Sequence, residues 1–378
     1  MEFRDLKAQY EKLKPAISKA MLRVASDARF IMGPDVAELE KELAEFVGAE
    51  HCITCANGTD ALQIALMIWE VGPGDAVFVP DFTFFSSAEV VAAVGAEPVF
   101  VDVRKDTFNM DPGDLIKAIE ETQKEGRLKP KAVIAVDLFG LPADYENIRK
   151  IADKHDLKLL EDGAQGFGGN ILSKKSCSFG DISTTSFFPA KPLGCYGDGG
   201  AIFTDSEEWA ELARSYRFHG KGSYKYDNVR IGMNSRLDTL QAAILRVKLD
   251  AFKEELRKVQ HFATRYDLFL GGIPELKTPE IPFGCKSSWA QYTIRLKDRQ
   301  TRDTLQQQLK EQDIPSMVYY PTPMSGQTAF AGYRRRICTN AEELCDTVLS
   351  LPIHPYLKEK DQDTVVNAIR KFFNVKTI

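Results

Sequence analysis

The chain has 378 residues, 44% apolar, 27% charged and 10% aromatic; that is enough for a large core and, at roughly 150 residues per domain, for about two domains. Its 49 Lys and Arg against 54 Asp and Glu leave a formal charge of −5, and no basic stretch is long enough to neutralise many phosphates, which argues against double-stranded nucleic acid as a partner. The longest apolar runs fall far short of the roughly 20 residues that a bilayer span needs. Acid and base mix in Met1-Glu2-Phe3-Arg4-Asp5 where a secretory leader has a basic and then an apolar stretch, so a cytoplasmic location is expected. Seven scattered cysteines do not form a disulfide framework. Cys52 and Cys55 have the spacing of half a zinc site, but no second pair follows, and no metal is expected.

In chain order, short runs rich in Val, Ile and Phe recur between stretches of helical spacing. Strands are expected at 51–55, 76–79, 98–101, 132–136, 158–161, 184–188 and 201–204, and helices at 59–69, 86–94, 112–122 and 144–155. That alternation implies an α/β fold with a mostly parallel sheet covered on both faces. From 237 to 270 the pattern becomes one amphipathic run with no Pro until Pro274. Such a helix commonly links a large domain to a smaller one. Material for the smaller one lies at 289–296, 306–312 and 339–350, and the three-proline stretch 274–282 reads as an irregular connection. The expected domains are 1–250, and 251–378 as a smaller α/β unit.

Open α/β sheets bind ligands beyond the carboxyl ends of their strands, so chemistry is expected in the residues that follow each strand. After the first come Asn57-Gly58-Thr59-Asp60. Gly58 lets the backbone approach a ligand, and Thr59 offers a hydroxyl and an amide at a helix N-terminus, where the dipole favours phosphate; the same residues also make an ordinary capped turn. After the second, Asp81-Phe82-Thr83-Phe84-Phe85 offers an aromatic to stack on a flat ring, although three Phe so close together also suit a core. After the fifth, Glu161-Asp162-Gly163-Ala164-Gln165 places an acid where it can pair with a protonated ring nitrogen, which makes a pyridine an effective electron sink. A helix cap by Asp162 is the structural alternative. After the sixth, Ser186-Phe187-Phe188-Pro189-Ala190-Lys191-Pro192-Leu193-Gly194 sets Lys191 among apolar and small residues. Desolvation there lowers an amine's pKa and favours a neutral nucleophile for Schiff-base formation, and Ser186 supplies a second hydroxyl for phosphate.

These segments in this order, with Gly33-Pro34, Gly72-Pro73-Gly74-Asp75, Gly197-Asp198-Gly199-Gly200 and Asn234-Ser235-Arg236-Leu237-Asp238, closely resemble the DegT/DnrJ/EryC1/StrS family of sugar-nucleotide aminotransferases along nearly the whole chain. The resemblance implies an aspartate-aminotransferase-type fold (pyridoxal-phosphate fold type I) with a seven-stranded sheet, working as a homodimer. It implies transfer of an amino group from L-glutamate to a keto sugar nucleotide with pyridoxal 5′-phosphate, or pyridoxamine 5′-phosphate in the half-reaction. By the same resemblance Lys191 holds the cofactor covalently, Asp162 pairs with the pyridine nitrogen, Gln165 contacts the phenolic oxygen and Phe84 stacks on the ring. Gly58, Thr59 and Ser186 bind its phosphate, joined by Asn234 from the partner subunit.

Within that family the nearest resemblance is to bacterial enzymes that aminate carbon 3 of UDP-2-acetamido-2-deoxy-3-oxo-glucuronate on the way to surface polysaccharides. It implies that Arg236, Tyr319 and Tyr320 face the sugar. A guanidinium clamps a carboxylate through two hydrogen bonds, which is the chemical reason to link Arg236 to a uronate. The chain departs from that subgroup at Val318-Tyr319-Tyr320-Pro321, where the pattern usually reads Val-His-Tyr-Pro, and at Met324-Ser325-Gly326-Gln327. Another 3-oxo or 4-oxo UDP- or dTDP-hexose is therefore the second reading of the substrate. Sugar dehydratases of the same fold typically carry His in place of the lysine, and a non-catalytic regulator tolerates loss of Lys191 or Asp162; both residues are present.

Overall fold

The computed structural model describes residues 1–224 and 226–378. Two helices, α1 (Leu6–Asp27) and α2 (Pro34–Val47), precede a seven-stranded sheet built from β1 (His51–Cys55), β2 (Asp75–Pro80), β3 (Glu97–Val101), β4 (Lys129–Val136), β5 (Lys158–Asp162), β8 (Ile182–Ser186) and β9 (Gly200–Thr204), with the short strands β6 (Asn170–Ile171) and β7 (Lys174–Lys175) set outside it. The order across the sheet is β1-β9-β8-β5-β4-β2-β3. Only β9 runs against the others, antiparallel to both β1 and β8. The carboxyl ends of β1, β2, β5 and β8 therefore share one edge. Gly200, which opens β9, pairs there with both Cys55 and Ser186.

Strand periodicity builds the core on both faces. In β2, Val77 and Val79 join a cluster with α3 (Gly58–Ile68) and α4 (Ser86–Ala93), while Ala76 and Phe78 join another with α5 (Pro112–Glu125) and α6 (Tyr145–Lys154). The neighbouring strand β4 divides the same way, Ala132, Ile134 and Val136 against Val133 and Ala135. A one-residue slip would exchange these sets, so the register is fixed by burial on two sides. Helix ends follow local chemistry. The Asp111 side chain accepts from the Gly113 amide at 2.8 Å, Pro112 occupies the first position of α5, and Gly126 stops it at φ 68°.

After β9 come α7 (Glu207–Tyr216) and then α8 (Thr239–Leu270), 32 residues without interruption. The first half of α8 lies on α1 and α2; its second half carries Val259, Phe262, Ala263, Tyr266 and Leu270 into a separate apolar cluster. That cluster is completed by a sheet of β10 (Leu276–Lys277), β12 (Tyr292–Leu296) and β13 (Val348–Leu351), and by α9 (Arg299–Glu311) and α11 (Glu359–Phe372). The strand β11 (Cys285–Lys286) pairs instead with β6, and α10 (Thr339–Thr347) leads into β13. Among the described residues no helix is long and apolar enough to cross a membrane.

Two expectations are corrected. The sixth strand runs over Ile182–Ser186 rather than 184–188, because the chain turns back after Ser186: Phe187 N donates to Gly199 O at 2.7 Å, and Cys195 N to Phe187 O at 2.8 Å. Phe187 and Phe188 imitate a strand by composition alone. The stretch 274–282 is not wholly irregular, since Leu276 and Lys277 pair with Leu296 and Arg295.

Candidate active site

The site is assembled at the shared strand edge. Asp162 closes β5 and is buried; Ser87, in the first turn of α4, donates its hydroxyl to Oδ2 at 2.7 Å, and the Ala164 amide donates to Oδ1 at 3.2 Å. Behind it Glu161 is fully buried, and burial pushes its carboxyl upward. Donors from Ser183 Oγ at 2.7 Å and Phe179 N at 2.6 Å offset the cost of enclosing that group. Gln165 is fixed by the Phe139 amide, which donates to Oε1 at 2.8 Å; its Nε2 donates to the Tyr320 hydroxyl at 3.2 Å.

Lys191 stands in the turn after β8, where its backbone amide donates to Phe188 O at 2.8 Å. Its Nζ lies 6.0 Å from the centre of the Phe84 ring. Removal of that amine from water lowers its pKa; the charge of Asp162 opposes the shift and that of Arg4 adds to it. The three neighbouring Phe divide their work. Phe82 is core, with its ring against Phe108, Phe139 and Tyr320, and Phe85 packs on Phe330. Phe84 alone of the three is left 51% exposed, facing the lysine.

Opposite the lysine, Asn57 caps α3 by accepting from the Asp60 amide at 2.8 Å, and the Thr59 and Ser86 hydroxyls meet at 2.8 Å. Gly58 is needed for space: a Cβ there would lie 2.7 Å from the Cβ of Ser186. The hydroxyls of Thr59, Ser86 and Ser186 thus gather at the N-terminus of α3, and that donor set suits a phosphate. With an amine, a carboxylate and an open aromatic face nearby, the residues fit pyridoxal phosphate.

Asn234 and Arg236 lie apart from this group. The described residues 217–224 and 226–235 form an excursion closed at its base by Ser235 N donating to Arg217 O at 2.9 Å. The base is tied to the cradle, since Ser235 Oγ accepts from the Ala56 amide at 3.0 Å and Arg217 donates to Thr54 O at 2.6 Å. Asn234 is exposed, and the guanidinium of Arg236 stacks 4.7 Å from the Phe218 ring. Among the described residues neither contacts Lys191 or Asp162. Tyr320, by contrast, reaches the inner group through Gln165, and Tyr319 meets Phe3 edge-on at 6.3 Å. The stretch after them docks on the end of β2: Asp81 accepts from Ser325 N at 2.6 Å and from Ser325 Oγ at 2.8 Å, and burial pushes its carboxyl up to about 6.

Residues 11–370 match the DegT/DnrJ/EryC1/StrS aminotransferase family. The chain belongs to that family. It is 45% identical over 357 residues to the UDP-2-acetamido-2-deoxy-3-oxo-D-glucuronate aminotransferase of Pseudomonas aeruginosa, covering 94% of this chain and 96% of that protein. A crystal structure of a DegT DnrJ EryC1 StrS aminotransferase from Brucella abortus superposes with a TM-score of 0.96 at 51% identity, over 99% of both chains. The NtdA protein of Bacillus subtilis, whose structure has the bound cofactor PMP, superposes at 0.90 with 28% identity, over 99% of this chain and 85% of that one. This member of the family is a pyridoxal-phosphate-dependent aminotransferase of the α/β fold expected from its sequence.

Several residues of the site were not singled out in the sequence. Ser86 and Ser87 follow the edge aromatics directly, and their position at the start of a helix beyond β2 was the available signal. Arg4 donates to Lys191 O at 2.7 Å from 187 residues away, and nothing local announces it.

Proposed function

We propose that this protein moves an amino group from L-glutamate to UDP-2-acetamido-2-deoxy-3-oxo-glucuronate, as a step toward surface polysaccharide, in the cytoplasm and as a homodimer with shared sites. The observation that carries the transfer chemistry is the Lys191 amine held over Phe84, its pKa lowered by removal from water, next to the phosphate cradle of Gly58, Thr59 and Ser186. The choice of sugar rests on the Pseudomonas relative and on Arg236, a cation without a carboxylate partner among the described residues.

In this reading Asp162, fixed by Ser87 and the Ala164 amide, holds negative charge beside the pyridine nitrogen and keeps a proton on it. Gln165, its carbonyl locked by Phe139, turns its amide nitrogen to the phenolic oxygen. When bound, the cofactor supplies an electron sink for the bond broken at the donor's α carbon. Lys191 Nζ takes the proton from that carbon and returns one on the acceptor side. A general base works best when its pKa lies near the working pH, which gives the lowered proton affinity of this amine its use.

The outer residues are completed by a second copy. The excursion exposes Val229 and Ile231, the latter 89% exposed, and a hollow of about 840 Å³ lies against it, lined by Phe218, His219, Lys221 and residues 228–232. A partner covering this face sets Asn234 on the cofactor's phosphate and Arg236 on the sugar, with Tyr319 and Tyr320 across from them. We place the boundary between the domains 1–250 and 251–378 inside α8, just ahead of Phe252, the last buried member of one cluster, and of Val259, the first of the next. A panel of oxidised UDP- and dTDP-sugars with L-glutamate, read by the amino sugar formed, tests the reading. The 3-oxo-glucuronate is expected to react best; preference for an uncharged 3-oxo or 4-oxo hexose would replace it.

A further inference from the structure

The turn that presents Lys191 is held from below by two cations, one half-buried and one buried. Arg4 Nη2 donates to Lys191 O at 2.7 Å and reaches Pro192 O at 3.4 Å. Lys248, on α8 and 1% exposed, donates its Nζ to Gly194 O at 2.6 Å while standing 4.2 Å from the Tyr196 ring centre. We propose that Arg4 and Lys248 are positioning residues for Lys191, clamping the carbonyls of the turn so that its amine is presented to the cofactor in one place and in the field of a fixed positive charge. This inference rests on the cofactor reading of Lys191 above.

Three observations support it. Among the described residues neither cation has a carboxylate within ion-pair distance; both spend their hydrogen bonds on the negative ends of backbone dipoles, which is what a clamp requires and what a structural ion pair lacks. The segment carrying Arg4 is itself anchored. Asp5 accepts from the Ala8 amide at 2.8 Å, Phe3 meets Tyr319, and Gln9 donates to Glu255 at 3.1 Å. The charge also acts on the amine, for Arg4 lowers the pKa of Lys191 against the pull of Asp162. The groups facing the clamp are Glu255 on α8, which also accepts from Tyr356, the Cys195 thiol, Asp5 and the buried His354. Withdrawal from water brings Arg4 down to about 10 and Lys248 down to about 8, so Arg4 is the member that stays charged throughout the neutral range.

The test is a pH titration of the visible band of the cofactor-loaded enzyme without substrates, with thermal unfolding followed in parallel. Arg4→Gln keeps donors and removes the charge; Arg4→Met removes both; Arg4→Lys restores a charge. The titration midpoint is expected to rise by about half a pH unit or more in the Gln and Met variants and to return toward wild type in the Lys variant, as the loss of a nearby cation in a low-dielectric site requires. In the Met variant kcat should also fall while KM for glutamate changes little, since the contacts to that substrate are untouched. A lower unfolding temperature with an unmoved midpoint in all three variants would overturn the clamp and leave Arg4 a structural residue. Absence of a Lys191-bound cofactor band in the wild type would overturn the cofactor reading and this inference together, so the two failures are told apart.

Discussion

Asp162 and Arg236 carry opposite charges and belong to regions built in different ways. Asp162 ends a strand in the middle of the sheet, is 5% exposed, and has both oxygens engaged by residues of its own chain. Arg236 lies at the base of an excursion with exposed Val229 and Ile231, stacks on Phe218 and has no carboxylate partner among the described residues. The inner region is finished within one chain and, on the proposed function, holds the groups that handle protons. The outer region is left open, and on the same reading a covering partner sets which sugar enters. Changes inside should therefore damage every substrate alike, and changes outside should separate one sugar from another.

The largest effect is expected for Asp162→Asn. The variant should still bind cofactor through Lys191, yet lose about three orders of magnitude in turnover on all sugars, on the order of 4 kcal/mol in barrier, because an amide does not keep the ring nitrogen protonated. Stopped-flow turnover with the visible spectrum as a loading control measures it, and near-normal turnover would remove Asp162 from the inner group. Arg236→Ala should weaken the 3-oxo-glucuronate substrate by roughly 2–4 kcal/mol and leave an uncharged 3-oxo-hexose almost unaffected, since truncating one side of a buried charge pair typically costs that much. Equal losses on both sugars in an intact dimer would mean that Arg236 reads a shared part such as the diphosphate.

His354 tests whether the interior is complete in every respect. It is 3% exposed, its Nδ1 has no hydrogen-bond partner among the described residues, and burial pushes it from 6.5 down to about 4. Its folded pKa lies below the unfolded one, so the unfolded chain binds more protons between these values and stability falls as pH drops through that window, by at most about 3 kcal/mol. Denaturant unfolding at pH 7 and near pH 4.5 should show that loss in the wild type and a flatter profile in His354→Gln; parallel profiles would show that His354 does not contribute. The smallest effect concerns assembly. Lys191→Ala mixed with Asn234→Ala should restore about a quarter of wild-type activity, because half of randomly formed dimers are mixed and each then has one intact site. No recovery after verified exchange of subunits would close the outer region within one chain.

How much of this was legible in the sequence depended on the distance over which the signal had to act. The limits of β5 and the turn at Asn57-Gly58-Thr59 are local, set by an apolar run and a cap, and they were readable. So was Lys191, because Phe, Pro and Gly crowd it within a few residues. Ser87 was not, since its hydrogen bond to Asp162 joins residues 75 apart and depends on β2 lying two strands from β5. The misplacement of β8 by two residues has the same cause. Phe187 and Phe188 have strand composition, but the backbone hydrogen bonds that turn them away come from Gly199 and Cys195, beyond any local window. Helix α7 went unread although its start is signed by Ser206 capping Trp209 at 3.3 Å ahead of two acids. The departure at Met324-Ser325 finds its meaning only in three dimensions, where Ser325 satisfies the buried acid at the end of β2.

Helix α8 begins five residues after Asn234, passes beneath the Lys191 turn at Lys248 and ends inside the second apolar cluster. At 1.5 Å per residue its 32 residues span about 48 Å as one unbroken rod. A rod has a phase as well as a length. One residue inserted between Lys248 and Glu255 would turn everything beyond it by about 100°, carrying the face of Phe262 and Tyr266 out of its cluster while Lys248 kept its grip on Gly194. The helix thus works as a shared crankshaft: the lysine turn and the C-terminal cluster are keyed to one angular setting.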